Sequence, residues 1–111
     1  MKINIEGFAR NMGLEPKDIK SLYTTFFNEM SENIDQLKIA SQNKDSQTIE
    51  DIMHNIKGVC LNLELMELGK YAEQIYTEVK SADYSHLDIF LAYFDTEMEI
   101  VSKFVTNYYN Q

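Results

Sequence analysis

His54, Lys57 and Gly58 are the residues of this chain whose types and spacing could do chemistry. A neutral imidazole nitrogen is a nucleophile, and an unperturbed pKa of about 6.5 leaves much of it deprotonated near neutral pH without a dedicated base. On a helix Lys57, at i+3, sits one turn from His54 and can offset the charge of a bound anion as a point cation. Gly58, at i+4, removes the side chain directly beside the imidazole. Glycine in an exposed helix interior costs roughly 1 kcal/mol relative to Ala, so access for a partner's backbone and carboxylate is a physical reason for its presence. A nucleophile, a cation and an opening are what phosphoryl transfer to a histidine requires.

The helix that carries these residues sets their direction. Ile52, Met53, Ile56, Cys60 and Leu63 all fall within about 60° of Ile49 at 100° per residue and with it define a core side. On that wheel, with Ile49 at zero, His54 lies at roughly 140°, Gly58 at roughly 180°, Leu61 at roughly 120° and Lys57 at roughly 80°. His54 therefore faces outwards, with Leu61 expected to supply apolar contact area for a docking protein. Glu50 and Asp51, just before His54, are mainly solvated surface and could tune which partner is accepted.

The remaining periodicity is helical throughout. Ile5, Phe8, Ala9 and Met12 predict a short helix stopped by Gly13, and Pro16 suits a first helical residue. From there Ile19, Leu22, Phe26, Met30, Asn33, Leu37 and Ala40, widened by Tyr23, Phe27 and Ile34, predict a long amphipathic helix to about residue 41. A polar break over residues 41–46 precedes the His54 helix. Leu65, Leu68, Ala72, Ile75 and Val79 predict a further helix, broken at residues 81–84. Ser85 and Asp88 resemble a capping box ahead of a last helix burying Leu87, Phe90, Phe94, Met98, Val101, Val105 and Tyr108. Short loops make sequential helices antiparallel neighbours. The expected fold is all-α: an antiparallel up-down four-helix bundle with a short extra N-terminal helix, in a single domain over 1–111.

His54-Asn55-Ile56-Lys57-Gly58, followed by Asn62-Leu63, closely resembles the H-x-x-K-G signature of histidine-containing phosphotransfer domains. The order of helices around the motif extends that resemblance over nearly the whole chain. It implies that His54 accepts a phosphoryl group from a receiver-domain aspartate and passes it on. It also implies that Lys57 compensates the phosphate charge and that Gly58 admits the receiver. The implied partners are response-regulator receiver domains and a hybrid sensor histidine kinase. Mg²⁺ would belong to the receiver, and no cofactor to this chain. Family members often place a Glu or Gln on the next helix to hold the histidine's other nitrogen. Ungapped counting puts Tyr76 there, with Gln74 and Glu73 nearby. Many members also have a small residue where this chain has Val59, and a glycine near the position of Glu64.

Bulk properties narrow the alternatives. A formal net charge of -8, from 10 basic and 18 acidic side chains, argues against nucleic acid, which needs a basic face. No apolar stretch approaches the roughly 20 residues of a membrane span. The segment Met1–Glu6 lacks the apolar core of a signal peptide, and the single Cys60 allows no internal disulfide. A cytoplasmic protein is the expectation, with a monomer as its form. Neither a metal site nor a nucleotide site is expected, since no H-E-x-x-H, phosphate loop or kinase signature appears. A phosphocarrier rather than an enzyme follows. His86, without a lysine or glycine after it, reads as a solvated residue at a helix start. The competing functions are a helical adaptor that docks a receiver or kinase without being phosphorylated, and the phospho-accepting domain of a chemotaxis-type kinase.

Overall fold

The computed structural model describes residues 3–111; Met1 and Lys2, part of the segment read for a leader, lie outside the described residues. The described chain is all-α. It contains α1 (Ile5–Asn11), a 3₁₀ turn (Pro16–Ile19), α2 (Lys20–Gln42), α3 (Ser46–Asn62), α4 (Met66–Lys80) and α5 (Leu87–Tyr109). Pro16 opens the 3₁₀ turn, where its missing N–H is not needed, and α2 continues from it without a break.

Contacts run in opposite senses along neighbouring helices. His54 meets Tyr76 while Leu61 meets Gly69, so α3 rises as α4 falls. Lys38 pairs with Asp95 at 3.4 Å, and the Tyr109 hydroxyl donates to the Pro16 carbonyl at 2.6 Å, so α2 and α5 also oppose. Tyr71 packs on Phe90 and Tyr93, while Glu78 reaches back to His86. The molecule is elongated, 43 × 22 × 19 Å, as long helices lying side by side require at 1.5 Å per residue.

The core is apolar among the described residues, with Tyr23, Phe26, Met53, Leu68, Phe90 and Phe94 fully buried. The α2 stripe departs from its expected line at two positions. Tyr23 and Ile34 are buried, whereas Leu22 is 37% exposed and Asn33 is half-buried. The alternating steps of four and three held both sets, and the neighbours of α2 chose between them. Asn33 carries the consequence: its Nδ2 is withdrawn from solvent without a hydrogen-bond partner. Met98 and Tyr108 are only partly buried, at the edge of the core.

Four helix ends share one device. Each ends on a residue in the left-handed region, with the following N–H returning to a carbonyl five residues back. These are Gly13 (φ 71), Lys44 (φ 53), Glu64 (φ 59) and Ala82 (φ 61), closed by Leu14 to Ala9, Asp45 to Ala40, Leu65 to Cys60 and Asp83 to Glu78 at 2.9–3.0 Å. Only the first uses glycine, the residue that adopts this geometry freely. Glu64 recovers something from its position, because its carboxylate accepts the Asn11 amide at 3.0 Å and ties α1 to the α3–α4 junction. Ala82 has no such bond. Ala82→Gly is therefore expected to stabilise the protein by about 0.5–1 kcal/mol, the left-handed strain relieved less the extra chain entropy. Thermal unfolding would read it as a rise of roughly 2–6 °C; an unchanged or lower midpoint would contradict the strain.

The capping box expected at Ser85 and Asp88 does not form. The Ser85 amide and hydroxyl both donate to Asp83 Oδ1, at 3.0 and 2.6 Å, and α5 starts after His86 with no side-chain cap. A local Asx-type turn competes for the serine and wins.

Candidate functional site: an outward histidine between two helices

α3 is held by five buried side chains, Ile49, Ile52, Met53, Ile56 and Cys60, each contributing roughly 1.5–3 kcal/mol. That is ample to keep a helix whose outer face contains a glycine. Its N-terminus is capped by Asp45, whose carboxylate accepts the Thr48 amide at 3.2 Å and the Thr48 hydroxyl at 2.6 Å. These bonds to its ionised form hold the Asp45 carboxyl below the usual carboxylate range. The helix is thus fixed about two and a half turns ahead of the histidine.

His54 is exposed and faces away from the core, as the wheel requires. Its two flanks differ. On the side of Lys57 and Leu61 lies α4. Tyr76 places its ring 5.2 Å from the imidazole, centroid to centroid, at an interplanar angle of 52°. The Lys57 ammonium lies 4.8 Å from the centroid of the same tyrosine ring, and Lys80 lies 5.4 Å from it. On the opposite side lies α2, to which Asn55 is tied by its amide donating to Glu29 at 3.1 Å. Between the flanks sits Gly58. A Cβ built there would meet nothing within 4 Å, so no contact inside the protein demands a glycine at this position.

The other expected site residues fall as follows. Leu61 is half-buried and lies over Gly69 of α4, where an added Cβ would come within 2.6 Å of Leu61 Cδ2. The expectation of free apolar area from Leu61 therefore needs correction: most of that side chain is spent on helix packing. Apolar surface open to solvent lies on the other flank, where the exposed Leu22 and the half-buried Val59 edge a shallow groove between α2 and α3 that Thr25, Glu29 and Asn62 also line. Gln74, one of the two candidates for orienting His54, donates instead to Glu78 at 3.1 Å. Tyr76, the other, meets the imidazole through its ring. Glu50 is half-buried and Asp51 exposed, and Asp51 accepts the Gln47 amide at 2.9 Å.

Sequence reasoning missed Lys80 and Gly69. The signals were present, since Lys80 lies at i+4 from Tyr76 and Gly69 at i+8 from Leu61, but neither means anything until α3 and α4 are placed side by side.

Two other reactive groups have settled roles. Cys60 is buried, and burial pushes its thiol up to about 12, so it packs as a neutral hydrophobe. His86 shares a hydrogen bond with Glu78 at 2.7 Å, and that bond and the carboxylate charge raise its pKa. Glu78, Asp83 and His86 bring ligand-type atoms within 4.8 Å of one another. Their hydrogen bonds to each other, to Gln74 and to Ser85 already account for that approach.

The site is thus an exposed imidazole on a helical scaffold, beside a tyrosine ring that carries two lysines, with open space over the neighbouring glycine. Residues 21–103 match the family model of the Hpt domain, and the chain belongs to that family. It is thus a phosphotransfer domain of two-component signalling, a phosphocarrier by class whose kin work with receiver and kinase domains. Comparison with curated proteins and with solved structures finds no match. Among the described residues, no helix is long and apolar enough to cross a membrane.

Proposed function

We propose that this chain is the histidine phosphotransfer intermediate of a multi-step phosphorelay, taking a phosphoryl group on His54 from a receiver aspartate and giving it to another receiver. The observation that carries the reading is the open space over Gly58 next to an exposed His54. In the forward step the lone pair of His54 Nε2 forms the N–P bond as the P–O bond of the aspartyl phosphate breaks. The carboxylate leaves with its electron pair, and the imidazole proton remains on Nδ1 or passes to water. Lys57 offsets charge on the phosphoryl oxygens. Return transfer reverses each bond change. Mg²⁺ belongs to the receiver's carboxylates, and this chain needs no cofactor of its own.

The order of helix contacts is what an antiparallel up-down four-helix bundle gives, with α1 outside it, in one domain spanning the chain. A receiver seated over Gly58 would meet apolar area from Leu22 and Val59, with Glu50 and Asp51 at the N-terminal side of the contact. A monomer acting in the cytoplasm between a hybrid sensor histidine kinase and a downstream response regulator fits this reading.

The test is incubation with phosphoramidate, followed by intact mass and acid lability for the parent and for His54→Ala. The expected result is an acid-labile adduct of one phosphoryl group on the parent and none on the variant. A folded parent that takes no phosphoryl group would favour the helical adaptor that only docks a receiver or kinase, since docking needs no nucleophile.

A further inference from the structure

The ring of Tyr76 carries two lysines, and the sequence motif accounts for one. Lys57 comes from α3 and Lys80 from the last residue of α4, yet both ammoniums lie within cation–π range of one ring, at 4.8 and 5.4 Å. That ring is itself 5.2 Å from the imidazole of His54. Tyr76 and Lys80 are i and i+4 on α4, so helix geometry holds them on the face turned towards the histidine.

Charge explains why one cation would fall short. A phosphoryl group brings between -1.5 and -2 charges, about two, together with three strong acceptor oxygens. It would arrive on a protein of formal net charge -8, a few residues from Glu50 and Asp51. Lys57 offsets one unit and leaves the second uncompensated. We infer that Lys80 is a second phosphate-binding cation, and that Tyr76 is a positioning residue whose ring holds both ammoniums beside His54 until the phosphoryl group arrives. The contact of an ammonium with a π face is weaker than its charge-assisted hydrogen bond to a phosphoryl oxygen, so each lysine can leave the ring for the phosphate. The inference rests on His54 being the acceptor.

Lys80 also suits the C-terminus of α4 through the helix dipole, so the test must read something the dipole leaves unmoved. Full-length protein is phosphorylated with phosphoramidate, and the ³¹P shift of the adduct is followed with pH. In Lys80→Met the second ionisation of the phosphoryl group is expected to move up by roughly 0.3–1 pH unit, because a cation that favoured the dianion is gone. Lys80→Arg should restore the parent midpoint. Tyr76→Leu should give part of the Lys80→Met shift, whereas Tyr76→Phe, which keeps the ring, should match the parent. A Lys80→Met adduct that titrates with the parent overturns the second cation. A shift in Lys80→Met with none in Tyr76→Leu overturns the role of the ring. A parent that forms no adduct overturns the acceptor reading, and both inferences with it.

Discussion

Gly58→Gln is expected to slow phosphoryl transfer from a receiver domain about 10- to 100-fold, the scale on which a displaced reacting group loses rate. Phosphorylation by phosphoramidate should stay close to the parent's. The two donors separate access from reactivity. Phosphoramidate is small and can reach His54 from any open direction. A receiver must bring a loop and a carboxylate over the surface beside it, and that is where the new side chain would stand. The fold should be untouched or slightly stabilised, since a Cβ at Gly58 meets nothing within 4 Å and the helix gains propensity. Stopped-flow or gel-based transfer from a phosphorylated receiver would measure the rate, with circular dichroism as the control for folding. Equal transfer rates in variant and parent would leave the glycine without a role in access.

The second large effect is on stability and separates two helical glycines. Gly69→Val is expected to destabilise the protein by about 2–3 kcal/mol, the upper part of the overpacking range, and to lower the unfolding midpoint by roughly 10 °C or more. The added Cβ would lie 2.6 Å from Leu61 Cδ2, 2.8 Å from its Cγ and 3.2 Å from its backbone nitrogen. The end of a side chain can swing away, but the last of these is backbone, so α3 and α4 must move apart. The same substitution at Gly58 meets open space and should change stability by no more than about 0.5 kcal/mol, as propensity alone dictates. Differential scanning calorimetry on the pair decides it. Equal losses at both positions would mean that the α3–α4 approach is not set by Gly69. Since His54 and Tyr76 face each other across the same pair of helices, Gly69→Val should also weaken the packing of the imidazole on the tyrosine ring.

These outcomes bear on how the site is built. The histidine is presented by a helix whose inner face is locked by buried side chains, so the imidazole is held in place without being buried. Its surroundings come from elsewhere. α4 supplies an aromatic ring and a further lysine, and α2 supplies Glu29, whose carboxylate accepts the Asn55 amide. Val59 stands where many family members have a small residue. It lies in the groove with Leu22, and its bulk adds apolar area beside Gly58 without closing the space above it.

The one-dimensional pattern determined the helices and the direction of His54. Core residues recurring every three or four positions define a face, and a residue about 140° from that face must point out. The short polar breaks then left little choice but neighbours in sequence packing as neighbours in space. The pattern also erred in instructive ways. Leu22 and Asn33 fit the α2 stripe as well as Tyr23 and Ile34 did, and a wheel has no means of choosing between overlapping stripes. Ser85 matched a capping box, but Asp83 offered it a closer acceptor.

Tertiary structure alone decided what stands on either side of the histidine. A helical wheel gives angles about its own axis and carries no information on which neighbour lies to the left or right, since that depends on the handedness with which the helices assemble. With α4 on the flank of Lys57, Leu61 becomes packing against Gly69, Gln74 is claimed by Glu78, Tyr76 becomes a neighbour of His54, and Lys80 joins Lys57 over the ring of Tyr76. The sequence thus contained the proposed nucleophile, the first lysine and the glycine beside it within a single helix. The ring and the second cation come from residues more than twenty positions away, brought in only when α3 and α4 close against each other.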